Sequence, residues 1–265
     1  MIKFFRKIRF DLMEKNKTGK YLKYAFGEIV LVVIGILIAL SINNWNENNK
    51  SKSRLQSSLL EVKSELNADL VRLDSVIQII EHADYHGMYL LNYLTQKPKI
   101  TDSLKVQNAV VIVTILASFG KSGSAYENLI YNGNIQLVKN KKLKEKLGFY
   151  HNSKDWYMTY HDGPILNSYY DYIKAIHNYT RPGFIRKYYD AYLYITRNEI
   201  EKNEIINSSF DSHIDFDKLK SDEGLSTILD RVQLSRLLQK QLYLGIKKDI
   251  EEIIGQIDDE LETLN

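Results

Sequence analysis

The chain contains no cysteine. That excludes disulfides, thiolate nucleophiles and cysteine-ligated zinc. An extracytoplasmic domain without cysteine needs a packed core rather than staples. Proline is scarce, at three in 265 residues, and thirteen glycines are few enough to leave room for long helices. The chain also lacks a strong charge balance, with a formal net charge of +3. Of long apolar runs it has one, and the organisation of the chain follows from that run.

The run covers residues 27–42 and is broken only by small residues and Glu28. Extended back to Tyr24, it spans about 28 Å as a helix, against about 30 Å for a hydrocarbon core. Tyr21 and Tyr24 flank one end and Trp45 the other, as aromatics do at a membrane interface. The flank up to Lys23 carries eight Lys and Arg against Asp11 and Glu14, a net of +6. The remainder of the chain is therefore about −3, which argues against nucleic acid as a partner. Basic flanks stay inside, so the expected layout is a cytoplasmic segment 1–20, a transmembrane helix 21–45 and a periplasmic domain 46–265. Two rival readings are a buried core helix and a signal peptide cleaved near Ala39-Leu40-Ser41. The aromatic belt opposes the first, and the long region before the run opposes the second.

Within the span, Gly27, Gly35 and Ala39 recur at multiples of four, and Glu28 borders the same face. Small residues at this spacing let two helices approach closely, and a carboxylate in lipid seeks protein or water. The alternative for Glu28 is a side chain that snorkels to the lysine-rich interface. Ahead of the span, Phe5, Ile8 and Leu12 share one helical face, which suits either a short helix on the inner leaflet or a frayed basic tail.

After Trp45, Leu55, Leu59, Val62, Leu66, Leu70, Leu73, Ile77 and Ile80 keep a helical period with one stutter. One helix is expected to run from the membrane to near Tyr93, stopping before Lys97-Pro98. Residues 109–116 form a β-branched run that reads as strand or buried helix, with its helical neighbours favouring helix. Ser124-Ala125-Tyr126-Glu127 has the spacing of a capping box, and Asn132-Gly133-Asn134 closes the helix it would open.

Two stretches, residues 27–47 and residues 125–140 (Ala-Tyr-Glu-Asn-Leu-Ile-Tyr-Asn-Gly-Asn-Ile-Gln-Leu-Val-Lys-Asn), resemble a family of membrane-anchored proteins widespread in Bacteroidota, known only as domain of unknown function 6090. The resemblance implies an inner-membrane protein of such bacteria. It implies no activity, ligand or catalytic residue.

Further on, Leu143, Leu147, Tyr150, Tyr157, Tyr160, Tyr169, Ile173 and Ile176 form another helical pattern, interrupted at Gly163-Pro164. Residues 184–197 fit a short helix, and residues 203–222 read as a polar loop. The last helix carries Leu238, Leu242, Ile246, Ile250, Ile253, Ile257, Leu261 and Leu264, and matches the first outer helix in period, so the two are candidates to pair as a coiled coil.

Chemistry is sparse. His82 and His86 stand four apart on a helix, a spacing that clamps zinc, but the motif lacks the metalloprotease glutamate and a third ligand. Asp211, Asp215, Asp217, Asp222 and Glu223 lack the order of a calcium loop. Eleven tyrosines between residues 150 and 194 make either a binding platform or an aromatic core with hydroxyls at its edge. No catalytic triad, phosphate loop or carboxylate pair stands out, so the expectation is no enzyme, no metal and no cofactor. The fold expected is all-α: the transmembrane helix, then an elongated extracytoplasmic helical bundle. The function expected is a membrane-anchored scaffold or accessory subunit that binds another envelope protein, or itself, through its helices. A ligand-sensing periplasmic domain that signals through a partner is the second reading. An exposed apolar patch favours the scaffold and an enclosed tyrosine pocket the sensor.

Overall fold

In the computed structural model, the residues described are 18–96, 103–120, 123–153, 163, 165–186 and 214–264. The basic segment before residue 18, six of the eleven tyrosines, Asp211 and most of the helix expected over 184–197 lie outside them. The chain divides into two compact units, Met1–Ser57 and Ser58–Asn265. Among the described residues every regular element is helical, and there is one isolated antiparallel bridge, Thr180 with Ile214.

The first helix, α1 (Thr18–Gln96), runs unbroken through the apolar stretch and the expected outer helix, and ends just before Lys97-Pro98. It belongs to both units. Within the first unit its apolar side chains from Leu22 to Ile42 are solvent-exposed, a surface suited to lipid rather than water.

Among the described residues, the second unit holds the rest of α1 and six shorter or later helices. These are α2 (Ser103–Ile112), α3 (Ser124–Tyr131), α4 (Lys141–Asn152), α5 (Leu166–Ile176), α6 (Phe216–Ser221) and α7 (Glu223–Leu264), with a 3-10 turn at Asn134–Leu137. The β-branched run is helical through Ile112 and then turns. Val106, Gln107 and Ala109 to Val113 are all buried, so the β-branched end of this helix is covered on every side.

On α1 the buried row reads Leu59, Val62, Leu66, Asp69, Leu73, Ile77, Ile80, Ala83, Gly87, Leu90 and Leu94. Asp69, fully buried, takes the place expected for Leu70, which is only half-buried. On α7 the row is stricter: Leu225, Leu229, Val232, Arg236, Gln239, Tyr243, Ile246, Ile250, Ile253, Ile257 and Glu260, alternating four and three without a slip. This corrects the leucine row expected for the last helix. Upstream of Ile246 that row steps by four and drifts around the helix, whereas the buried seam steps by 3.5. Leu238 is consequently 45% exposed, and Leu242, Leu261 and Leu264 are half-buried.

The two long helices pack antiparallel, in a register visible in three ion pairs. Lys63 meets Asp258 at 2.5 Å, Asp74 meets Lys247 at 2.6 Å, and Glu81 meets Lys240 at 2.7 Å. The partners step by eleven and seven residues on α1 and by the same intervals in reverse on α7. Partly exposed pairs add little stability each, but opposite signs in sequence fix which register is preferred.

Hydrogen bonds at helix starts correct two other expectations. Ser124 and Glu127 do not form a capping box. The N-cap is Gly123, and the cap comes from α1: Glu65 accepts from Ser124 Oγ at 2.8 Å and from the Ala125 N–H at 2.9 Å. A carboxylate supplied from a neighbouring helix satisfies an orphan donor of the first turn, the Ala125 N–H, and adds charge at the positive helix end. The polar stretch expected as loop contains α6, opened by Asp215, whose carboxylate accepts from the Lys218 N–H at 3.0 Å. Asn132-Gly133 does end α3, and Gly133 sits at φ +70°, where a side chain would be strained.

Candidate functional site

The expected membrane face is on α1. At about 100° per residue, Gly27, Glu28, Gly35 and Ala39 lie within an arc of about 120°. A side chain built on Gly27 or Gly35 would meet no atom within 4 Å. Trp45 is exposed, and the side chains of Tyr21 and Tyr24 lie outside the described residues.

On α7, a second apolar surface lies opposite the buried seam. Leu234, Leu237, Leu238 and Leu244 are exposed, with Leu237 at 53%. Half a turn away, at the same level of the helix, the seam is polar. Arg236 has no exposed surface, and its guanidinium donates from Nε to the Tyr169 hydroxyl at 3.0 Å, from Nη1 to the Ala83 carbonyl at 3.0 Å and Gln233 Oε1 at 2.8 Å, and from Nη2 to the Val113 carbonyl at 2.5 Å. None of these acceptors is a carboxylate. Gln233 in turn donates to the Asp84 carbonyl and to Asp84 Oδ1, both at 2.9 Å. Gly87 makes room for it: a Cβ there would lie 2.0 Å from Gln233 Oε1. Further along, Gln239 donates to the Ala117 carbonyl at 2.8 Å, and Tyr243 accepts from the Phe119 N–H at 3.1 Å. Between Gln233 and Leu244, α7 thus turns Gln233, Arg236 and Gln239 inward, where their N–H groups find acceptors, and Leu234, Leu237, Leu238 and Leu244 outward, while the seam on either side of this stretch is apolar. A soluble helix without a partner for its outer face is patterned the other way.

Of the tyrosines within reach, Tyr150, Tyr169, Tyr172 and Tyr179 are buried and Tyr170 is exposed. All four buried hydroxyls are engaged. Tyr150 donates to Asp69 Oδ2 at 2.8 Å, Tyr172 donates to the Val110 carbonyl at 2.9 Å, Tyr169 accepts from Arg236, and Tyr179 donates to Asp222. Burial pushes the Tyr179 hydroxyl up to about 12, helped by the Asp222 carboxylate, and burial drives Tyr172 higher still. These rings are core, with their hydroxyls tying helices together, rather than the walls of a tyrosine-lined chamber.

His82 and His86 stack edge to face at 4.8 Å. Burial pulls the His86 imidazole down to about 4, with His82, Lys105 and Arg236 adding positive charge nearby. Among the described residues no group of three His, Asp or Glu side chains converges as a metal site. The acidic cluster is divided: Asp215 caps α6, and Asp222 accepts from Tyr179 and from the N–H groups of Gly224 and Leu225 at the start of α7.

Sequence reasoning missed Asp69, Gln233, Arg236, Gln239 and Glu260. The signal was present. On α7, Arg236, Gln239 and Glu260 fall on the unbroken four-three spacing of the seam, whereas the leucine pattern leaves that seam to reach Leu238.

The model of a family of unknown function (DUF6090) matches residues 28–108, from the apolar stretch of α1 into α2. No curated protein and no solved structure matches the chain. Over that stretch the chain is similar to uncharacterised proteins. Residues 125–140 lie outside the matched span.

Proposed function

We propose that this chain is a single-pass inner-membrane protein of Bacteroidota type, with residues 1–20 in the cytoplasm and residues 46–265 in the periplasm. In this reading the outer part is an elongated helical bundle with α1 and α7 as its antiparallel coiled-coil pair. Its role is that of a non-enzymatic scaffold or accessory subunit that holds another envelope protein. The observation that carries the reading is the inverted pattern of α7 between Gln233 and Leu244, with hydrogen-bonded Gln233, Arg236 and Gln239 inside and Leu234, Leu237, Leu238 and Leu244 outside. An exposed row of leucines at helical spacing fits the apolar face of a partner helix. The engagement of the buried tyrosine hydroxyls within the core favours this reading over a ligand sensor.

The test is photocrosslinking in cells. A photoreactive residue at Leu237 or Leu238 should yield a discrete adduct with one heterologous envelope protein, and the same residue at exposed Asp259 should not. An adduct with a second copy of the chain only, or no adduct at Leu237 and Leu238, overturns the scaffold reading. A reporter active only in the periplasm, fused after Asn265, should be active, and cytoplasmic activity there overturns the topology.

A further inference from the structure

Between α4 and α7 the second unit opens a pocket of about 180 Å³, lined by Glu145, Lys146, Phe149, Tyr150, Asp249 and Ile253. Its walls are apolar. Ile253 is buried at the base, and the Tyr150 ring is fixed by its hydrogen bond to the buried Asp69. With the hydroxyl so occupied, Tyr150 offers the pocket its ring and no free donor. Phe149 is part of the lining and is 69% exposed.

The charges around the rim are unequal. Lys146 Nζ is 2.6 Å from Glu252 Oε2 and 4.0 Å from Asp249 Oδ1. Lys142 also meets Glu252, at 2.9 Å, and hydrogen bonds from Lys146 and Lys142 hold the Glu252 carboxyl down at about 2. Lys142 and Lys146 therefore bind Glu252 closely, and Lys146 reaches Asp249 only at 4.0 Å. Asp249 shares Lys146 with Glu252, Glu145 adds a further carboxylate, and the five groups together carry one net negative charge. An anionic ligand would meet two carboxylates and a lysine already engaged. A neutral apolar ligand would use the rings and draw nothing from the two carboxylates at the rim. A cation with apolar substituents meets both demands, placing its charge by Glu145 and Asp249 and its methyl groups on the rings. The volume suits it, since a cavity of about 150 Å³ accepts benzene.

We propose that this pocket binds a small organic ammonium cation, quaternary or tertiary, with Glu145 and Asp249 neutralising its charge and Phe149 and Tyr150 receiving its alkyl groups.

The experiment uses the full chain in an uncharged maltoside detergent, with choline as probe and 3,3-dimethylbutan-1-ol as its neutral counterpart, followed by calorimetry. Choline should bind saturably, and the alcohol at least tenfold more weakly. Glu145→Gln combined with Asp249→Asn should weaken choline about tenfold, and Phe149→Leu about threefold, with circular dichroism unchanged because these side chains are partly or largely exposed. A short-chain phosphatidylcholine serves as competitor. Displacement of choline at lower concentration than choline itself assigns the cation to a lipid headgroup, and weaker competition assigns it to a free solute. Absence of saturable binding, equal affinity for the alcohol, or unchanged affinity in the carboxylate variant overturns the proposal.

Discussion

Arg236→Lys is a mild exchange by charge and a severe one by geometry. The guanidinium is fully buried and spreads its donors to four acceptors on four parts of the chain: Ala83 on α1, Val113 after α2, Tyr169 on α5 and Gln233 on α7. A lysine brings one nitrogen at the end of a flexible stem and cannot span a planar fork. At best it serves two of the four. Two buried acceptors then lose their donor, at about 1–3 kcal/mol each, and the buried charge remains with fewer bonds to offset its desolvation. The expected loss is about 4 kcal/mol, or roughly 10 °C in Tm at about 2–4 °C per kcal/mol for a domain of this size. Arg236→Met also orphans acceptors, but it removes the charge and keeps the volume, so it should lie between the parent and Arg236→Lys. The assay is thermal and urea unfolding of the full chain in detergent, followed by far-UV circular dichroism. A loss under about 1 kcal/mol for the lysine variant, or a lysine variant more stable than the methionine one, refutes the reasoning.

Three further outcomes follow from other contacts. Glu260 is buried near the end of α7 and accepts from the N–H groups of Lys139 at 2.7 Å and Asn140 at 3.1 Å, so Glu260→Ala should cost about 2–4 kcal/mol in the same unfolding assay. His86, held at about 4 chiefly by burial, takes a proton in the unfolded chain before it does in the folded one. Stability should therefore be full above about pH 6.5 and fall as the pH drops toward 4, and His86→Gln should flatten that window in a pH series of urea midpoints. Gly35→Ile with Ala39→Ile keeps the span hydrophobic but removes its flat face. Insertion should persist and crosslinked association in the membrane should be lost, and an unchanged crosslink reduces the segment to a tether.

Much of the architecture was legible from residue order because it rests on local patterns. A run of apolar residues with basic and aromatic flanks needs no tertiary information, nor does a helix that ends before Lys97-Pro98, nor a break at Asn132-Gly133. Helical period and turn chemistry are properties of neighbouring residues. Tertiary structure decided which face of each helix is inside. Asp69 displaced Leu70 because a carboxylate that accepts from Tyr150 and Arg72 is stable there. Arg236 and Gln239 displaced the leucines of α7 because carbonyls at Ala83, Val113 and Ala117, far away in sequence, were waiting for donors. The cap of α3 passed from Ser124 to Glu65 for the same reason. Hydrophobicity ranks a residue by its own side chain, whereas burial of a polar residue depends on partners that only the folded chain brings within about 3 Å.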